Sequence, residues 1–432
     1  MAKSVVNKGG IWHSLRNAWK VDEIRKKIIY TFMMLVVFRL VGVIPAPGVD
    51  YAAVQANLNA GGNQLPILDL VNMMTGNNFQ AMTIMAMGIT PYINASIIMQ
   101  LLTIAIPALE RMQKSGPDGQ KKIAQITRYV TVGLAVVQAI GLVASLGYIK
   151  DGWFNTVLVG VSMAGGTALS MWIGERITSK GIGNGISLLI FAGIISGIFS
   201  GLTQMIMQAI PAQSIGPWIN FIVVILIIAL MVAIVTFVDL GVRRINVQFA
   251  KRVSGRKMYG GQNSVIPMKV VSVGVLPLIF AYSFMAFPGT IIQLAAPTSG
   301  FAAWWNQFMH PASGWYMLVT ALLIIAFTYF YSSISFQPDE MAKNIQQQGG
   351  AIPSVRPGRP TVEYLKRINS RLTLFAALFL AVLAILPTLI TLGLQIQLPF
   401  AASGLLIAVS VVLESKRQLD ELLISRNYDT IS

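Results

Sequence analysis

The chain has 432 residues, 55% of them apolar and only 11% charged, with a mean hydropathy of +0.66. Such a composition cannot cover a water-soluble globule of this size with polar surface, so lipid must be the solvent for most of it. A net charge of +16 then needs no nucleic-acid partner, since basic loops facing anionic lipid account for most of it. Zero cysteines exclude disulfides, iron–sulfur clusters and thiol nucleophiles, and two histidines, His13 and His310, make a zinc site hard to build.

Ten apolar stretches follow one another along the chain: 28–44, 79–107, 124–147, 154–173, 186–207, 218–239, 270–294, 315–335, 372–392 and 398–413. Most approach the ~20 residues a helix needs to cross the hydrocarbon core. They are continuous and lack two-residue alternation, which predicts helices and not a barrel. Residues 1–27 carry seven Lys and Arg, 45–78 none, 108–128 five, the next loop only Lys150, and 174–185 two. Further on, 240–269 carries seven, 336–371 six and 414–432 three, with none in the loops between. Basic residues stay on the cytoplasmic side during insertion, so the odd-numbered segments and both termini are expected there. The first stretch has no small-residue cleavage site and runs into a Pro-Gly loop, as a retained helix does. No Walker sequence, metalloprotease helix or Ser, His and Asp set is present, and the chain reads as a non-enzyme without cofactor, metal or catalytic residue.

Three places interrupt the ten-helix pattern. Residues 66–76 (Pro-Ile-Leu-Asp-Leu-Val-Asn-Met-Met-Thr-Gly) would make about 16 Å of helix, half a crossing. Leu68, Val71 and Met74 would lie on one stripe, as in a short helix dipping in from outside or a surface amphipathic loop helix. In 79–107, Gly88 and Pro91 predict a kinked helix, with Ile89 and Ile93 on one face and the amides of Asn94 and Gln100 at membrane depth. The isoleucines fit ordinary core or lipid packing as well. Gly174-Glu175-Arg176 to Gly181-Ile182-Gly183-Asn184-Gly185-Ile186 reads as a tight cytoplasmic turn, with Asn184 or Ser187 able to cap the next helix. Arg39, alone inside the first span, costs ~2.5–3.5 kcal/mol on insertion scales and is read as structural.

The last two blocks, in that order, resemble the SecY/Sec61-alpha family of protein-conducting channels. Phe38-Arg39, Ile44-Pro45-Ala46-Pro47-Gly48, Arg128-Tyr129, Val242-Arg243-Arg244-Ile245, Ala250-Lys251-Arg252, Val355-Arg356-Pro357-Gly358 and Arg371-Leu372-Thr373 extend the likeness over the whole chain. The resemblance implies an all-α polytopic membrane protein of ten transmembrane helices, in two inverted five-helix halves around an hourglass pore. The halves would be 28–207 and 218–413, joined by an external loop at 208–217, after a cytoplasmic segment 1–27 and before a tail 414–432. An odd number of spans per half forces that inversion.

Matched residue by residue, the resemblance implies a pore ring of Ile89, Ile93, Ile186, Ile190, Ile279 and Ile407. Segment 66–76, with Leu68, Leu70, Val71, Met73 and Met74, would be a plug, and Gln100, Gln138 and Ser283 polar positions of a lateral gate. Plain interhelical polar contacts are equally compatible with those three. Ile186 falls near the cytoplasmic end of its span, so it joins a waist only if irregular backbone at 181–185 lies in a wet vestibule. Arg243, Arg244, Lys251, Arg252 and Arg356, in loops 240–269 and 336–371, would dock the ribosome or the SecA ATPase; guanidinium suits phosphate and carboxylate alike. Alternation of Ile245, Val247 and Phe249 predicts a short hairpin there. Further expected partners are the small subunits SecE and SecG, signal peptides and nascent chains, membrane lipid, and SecDF and YidC, in the plasma (inner) membrane of a bacterium. Two rival readings are a secondary transporter, for which paired intramembrane acids are lacking, and a pore-less insertase or scaffold.

Overall fold

The computed structural model describes residues 16, 18–54, 75–76, 78–145, 152–211, 215–249, 252–254, 257–259, 263–274, 276–295, 299–309, 313–394 and 402–429. In chain order these form α1 (Asp22–Val41), α2 (Thr90–Ala105), α3 (Pro107–Lys114), α4 (Pro117–Ser145), α5 (Trp153–Lys180), α6 (Gly185–Ala209) and α7 (Gly216–Asp239). A group of strands follows: β1 (Val242–Phe249), β2 (Arg252–Ser254), β3 (Lys257–Tyr259) and β4 (Asn263–Lys269). Then come α8 (Leu276–Ala295), α9 (Gly300–Phe308), α10 (Gly314–Ser335), α11 (Pro338–Gln347), β5 (Gly350–Ala351), α12 (Arg359–Leu394) and α13 (Ala402–Asp429). Among the described residues, the ten helices other than α3, α9 and α11 follow the ten expected spans in order. Six are long and apolar enough to cross a membrane alone, seven if α2 and α3, bent by 102°, form one broken span.

The chain falls into two compact units, residues 1–221 with 286–310 and 399–432, and residues 222–285 with 311–398.

In the first unit α5 packs against α1, α4 and α6, and small residues let it do so closely. A Cβ added at Gly160 would lie 2.6 Å from Ile140 of α4, one at Gly166 2.1 Å from the Ile84 carbonyl, and one at Gly174 3.0 Å from Ile186 of α6. The expected kinked helix over 79–107 is not what forms. Residues 78–89 are a run of turns, and α2 begins at Thr90 with Pro91 in its first turn. The physical reason is that proline fits a helix start, where its missing N–H would be unpaired anyway, better than a helix interior. Irregular backbone needs partners elsewhere, and the chain after α1 supplies them. Ala46 N donates to the Met82 carbonyl (3.1 Å), Ile84 N to the Ile44 carbonyl (3.0 Å), and the Tyr51 hydroxyl to the Met82 carbonyl (2.7 Å). Ala46, Val49, Val54, Phe79, Met82, Ala86 and Met87 close over this pairing with Ala139, Val159 and Met163.

In the second unit α10 and α12 pack side by side, joined by a Ser332–Thr373 hydroxyl pair (2.7 Å) to which the Asn369 amide donates (2.9 Å). Phe280 of α8 meets Phe327 and Tyr331 of α10 edge to face. The expected hairpin is present and larger than foreseen. β1 pairs antiparallel with β4 from Val242 opposite Lys269 to Gln248 opposite Asn263, and its far edge takes β5. The inward residues Ile245 and Val247 are buried with Met268, Ala342, Ile345, Ile352 and Leu365, a small core of its own. That core explains why 336–371, expected as a loop, contains α11 and the start of α12.

Candidate functional site

The turn between α5 and α6 is built by two threonines that sequence patterns do not flag. Thr31 Oγ1 of α1 accepts from Ile182 N (3.0 Å), and Thr178 Oγ1 accepts from Gly185 N (2.9 Å) while donating to the Gly174 carbonyl (3.0 Å). Asn184 then caps α6, its side-chain oxygen accepting from Ile186 N (3.1 Å) and Ser187 N (3.3 Å); Ser187 itself does not cap. Gly185 must be glycine here, because a Cβ would stand 1.9 Å from the Gly174 carbonyl oxygen. Ala18, Ile24, Ile182 and Leu419 bury the outer side of the turn.

Five of the six isoleucines expected to line a ring lie in the same unit as this turn. Ile89 precedes α2 and Ile93 lies in its first turn, both buried, with Ile93 N bonded to the Ile89 carbonyl (3.1 Å). Ile190 is buried one turn after Ile186, which is partly exposed and rests against Gly174. Ile407 is buried on α13, which packs against α6. Ile279, also buried, lies on α8 in the second unit. None of the six is an exposed, lipid-facing side chain.

Leu68, Leu70, Val71, Met73 and Met74 lie outside the described residues; only Thr75 and Gly76 of that segment are described. Gln100 is exposed on α2, Gln138 half-buried on α4 and Ser283 half-buried on α8. Arg243 and Arg244 are exposed on β1, opposite Met268 and Pro267, and Arg356 is exposed beyond β5, where its carbonyl accepts from Thr361 Oγ1 (2.9 Å). These three share the second unit, on elements anchored by one small core. Arg252 lies on β2, and Lys251 falls outside the described residues.

A model of the SecY family matches residues 83–415. The protein translocase subunit SecY of Streptomyces scabiei is 42% identical over 429 residues, covering 95% of this chain and 98% of the relative. The chain belongs to the SecY family. That of Mycobacterium bovis is 40% identical over 432 residues, covering 94% and 96%. A solved protein-conducting channel superposes with a TM-score of 0.69 at 23% identity, over 92% of both chains. Sec61 of a canine ribosome–channel complex gives 0.65 at 21%, again over 92% of both, and these two likenesses carry the ten-helix fold. This SecY-family chain is thus a multi-pass membrane protein of the translocon, a channel subunit for protein translocation.

Proposed function

We propose that Ile89, Ile93, Ile186, Ile190, Ile279 and Ile407 form the waist of this channel, through which unfolded secretory polypeptides pass. The observation that carries the reading is burial without polarity. Five of these residues are buried, and two pairs stand four residues apart at the starts of α2 and α6, where the backbone is irregular. A narrow aliphatic collar expels water and ions when empty, yet offers a sliding chain no bond to break. Segment 66–76 fills the pore from outside at rest. The polar positions Gln100, Gln138 and Ser283 belong to a gate through which transmembrane segments leave sideways into lipid.

Arg243, Arg244, Lys251, Arg252 and Arg356 dock cytoplasmic partners. One structural neighbour is described as part of a ribosome–channel complex and another as a complex bound to a ribosome, which supports the ribosome as one partner, with SecA as the other. SecE and SecG complete the complex, SecDF and YidC associate with it, and both termini face the cytoplasm of a bacterium. The chain catalyses no reaction and takes its driving energy from those partners.

The chain lacks cysteine, so single cysteines at Ile89, Ile190 and Ile407 report directly. Each is expected to crosslink to a secretory polypeptide arrested in transit. Failure at all three, with reaction instead at exposed positions such as Leu226 and Leu230 of α7, would remove the ring.

A further inference from the structure

Arg39 does more than tolerate its place in an apolar helix. Its two terminal nitrogens both donate to the Gly76 carbonyl, at 3.1 Å each, and Nη2 also donates to Ser196 Oγ. One guanidinium therefore ties together the end of α1, the last residue of segment 66–76 and the middle of α6. Gly76 is shaped for this contact. Its φ is +68°, a left-handed conformation that disfavours side chains, and a Cβ there would lie 2.6 Å from Arg39 Nη1 and 3.1 Å from the Gly193 carbonyl oxygen. Thr75, one residue earlier, is buried, and its methyl group would meet a Cβ on Gly88 at 2.9 Å. Gly88 directly precedes Ile89. The linkage thus runs from Arg39 through Gly76 and Thr75 to the backbone that carries the first isoleucine of the proposed ring.

We propose that Arg39 is a latch that holds the trailing end of segment 66–76 against α6 and so biases the channel towards its sealed state. The inference rests on the reading of 66–76 as a plug. A planar guanidinium suits the task because it serves two acceptors from one fixed fork, which a lysine ammonium on a flexible stem does not reproduce. Charge adds to the hold: once Gly76 withdraws, the half-buried guanidinium loses two charge-assisted bonds. Arg39 is a positioning residue, since nothing in its role requires contact with the passing chain.

The test is resting ion conductance of the full chain, extracted with its associated subunits and reconstituted into planar bilayers without substrate. Arg39→Gln is expected to raise the open probability about tenfold, in line with loss of charge-assisted hydrogen bonds. Arg39→Lys should fall between it and the wild type, and Ser196→Ala, which spares the Gly76 contact, should produce a smaller rise. Deleting 66–74 separates the two ideas. If the deletion opens the channel and adding Arg39→Gln changes nothing further, the latch acts through the plug, as proposed. If the deletion opens it while neither Arg39→Gln nor Ser196→Ala does, the latch is wrong and the plug stands. If the deletion leaves conductance at rest unchanged, the plug reading fails and the latch with it. Protease resistance of each variant shows that it is folded, and Ser196→Ala keeps the question open to refutation should Arg39→Gln not fold.

Discussion

Helices α5 and α7 invert the rule that holds in water. The apolar window of α7 is 17% buried, whereas that of α5, with a less hydrophobic sequence, is 56% buried. In α7 the side chains of Ile222, Leu226, Leu230 and Phe237 are exposed. In α5 the buried set is Val159, Gly160, Met163, Ala164, Gly166, Thr167, Ser170, Met171, Ile173, Gly174 and Ile177, a mixture of small, polar and large residues. Lipid tails solvate leucine as well as a protein core does, so hydropathy reports contact with lipid, while close approach of helices is marked by glycine, serine and threonine. α5 is a packed scaffold helix, and α7 is mostly exposed.

The widest separation between the two comes from large-to-small substitution. Ile173→Ala, at a position with 0% exposure, is expected to destabilise by about 2–5 kcal/mol. Leu226→Ala, at 63% exposure in α7, should stay within about 0.5 kcal/mol. Thermal unfolding of the full chain in mild detergent would measure both, and equal losses would break the contrast. The reverse substitution sharpens it. Gly185→Ala pushes a Cβ into the Gly174 carbonyl and should cost about 3 kcal/mol by forcing α5 and α6 apart. Gly216→Ala, at the start of α7, meets nothing within 4 Å and should be neutral by the same assay. A smaller effect belongs to the turn between α5 and α6. Asn184→Ala leaves the N–H groups of Ile186 and Ser187 without their acceptor and should cost about 1 kcal/mol, with Asn184→Asp retaining most of it.

The ten-helix pattern was legible because apolar length and alternating loop charge are properties of contiguous sequence. The hairpin within the sheet was legible for a related reason: Ile245 and Val247 alternate as a half-buried strand does. What escaped was long-range pairing. The run of turns at 78–89 is held by hydrogen bonds to residues 44–46, from 36 to 40 positions earlier, and no local pattern signals that. Thr31 and Thr178 were invisible for the same reason: a threonine in an apolar helix usually donates to its own preceding turn, and Thr31 does this too, to the Lys27 carbonyl (2.9 Å). Arg39 was detectable as an anomaly, since a charge in a span implies a partner, but Gly76 and Ser196 could be named only from coordinates. The isoleucines of the proposed ring carry the weakest sequence signal, because aliphatic residues four apart in a membrane helix are commonplace. There the likeness to a family did the work that spacing could not.

The smallest expected effect bears on whether α5 owes its position to packing or to charge. Arg128 Nε of α4 donates to Glu175 Oε1 of α5 at 2.7 Å. The two side chains are 45% and 35% exposed, so solvent screens the attraction, and the pair should contribute about 0.2–1 kcal/mol. A double-mutant cycle of Arg128→Gln and Glu175→Gln, followed by unfolding in detergent, isolates that coupling. It should shrink towards zero near 1 M salt, where the screening length falls to ~3 Å. Should the coupling exceed 2 kcal/mol and persist in salt, the joint would be dry in the assembled complex. Charge, and not close packing alone, would then hold α5 against α4.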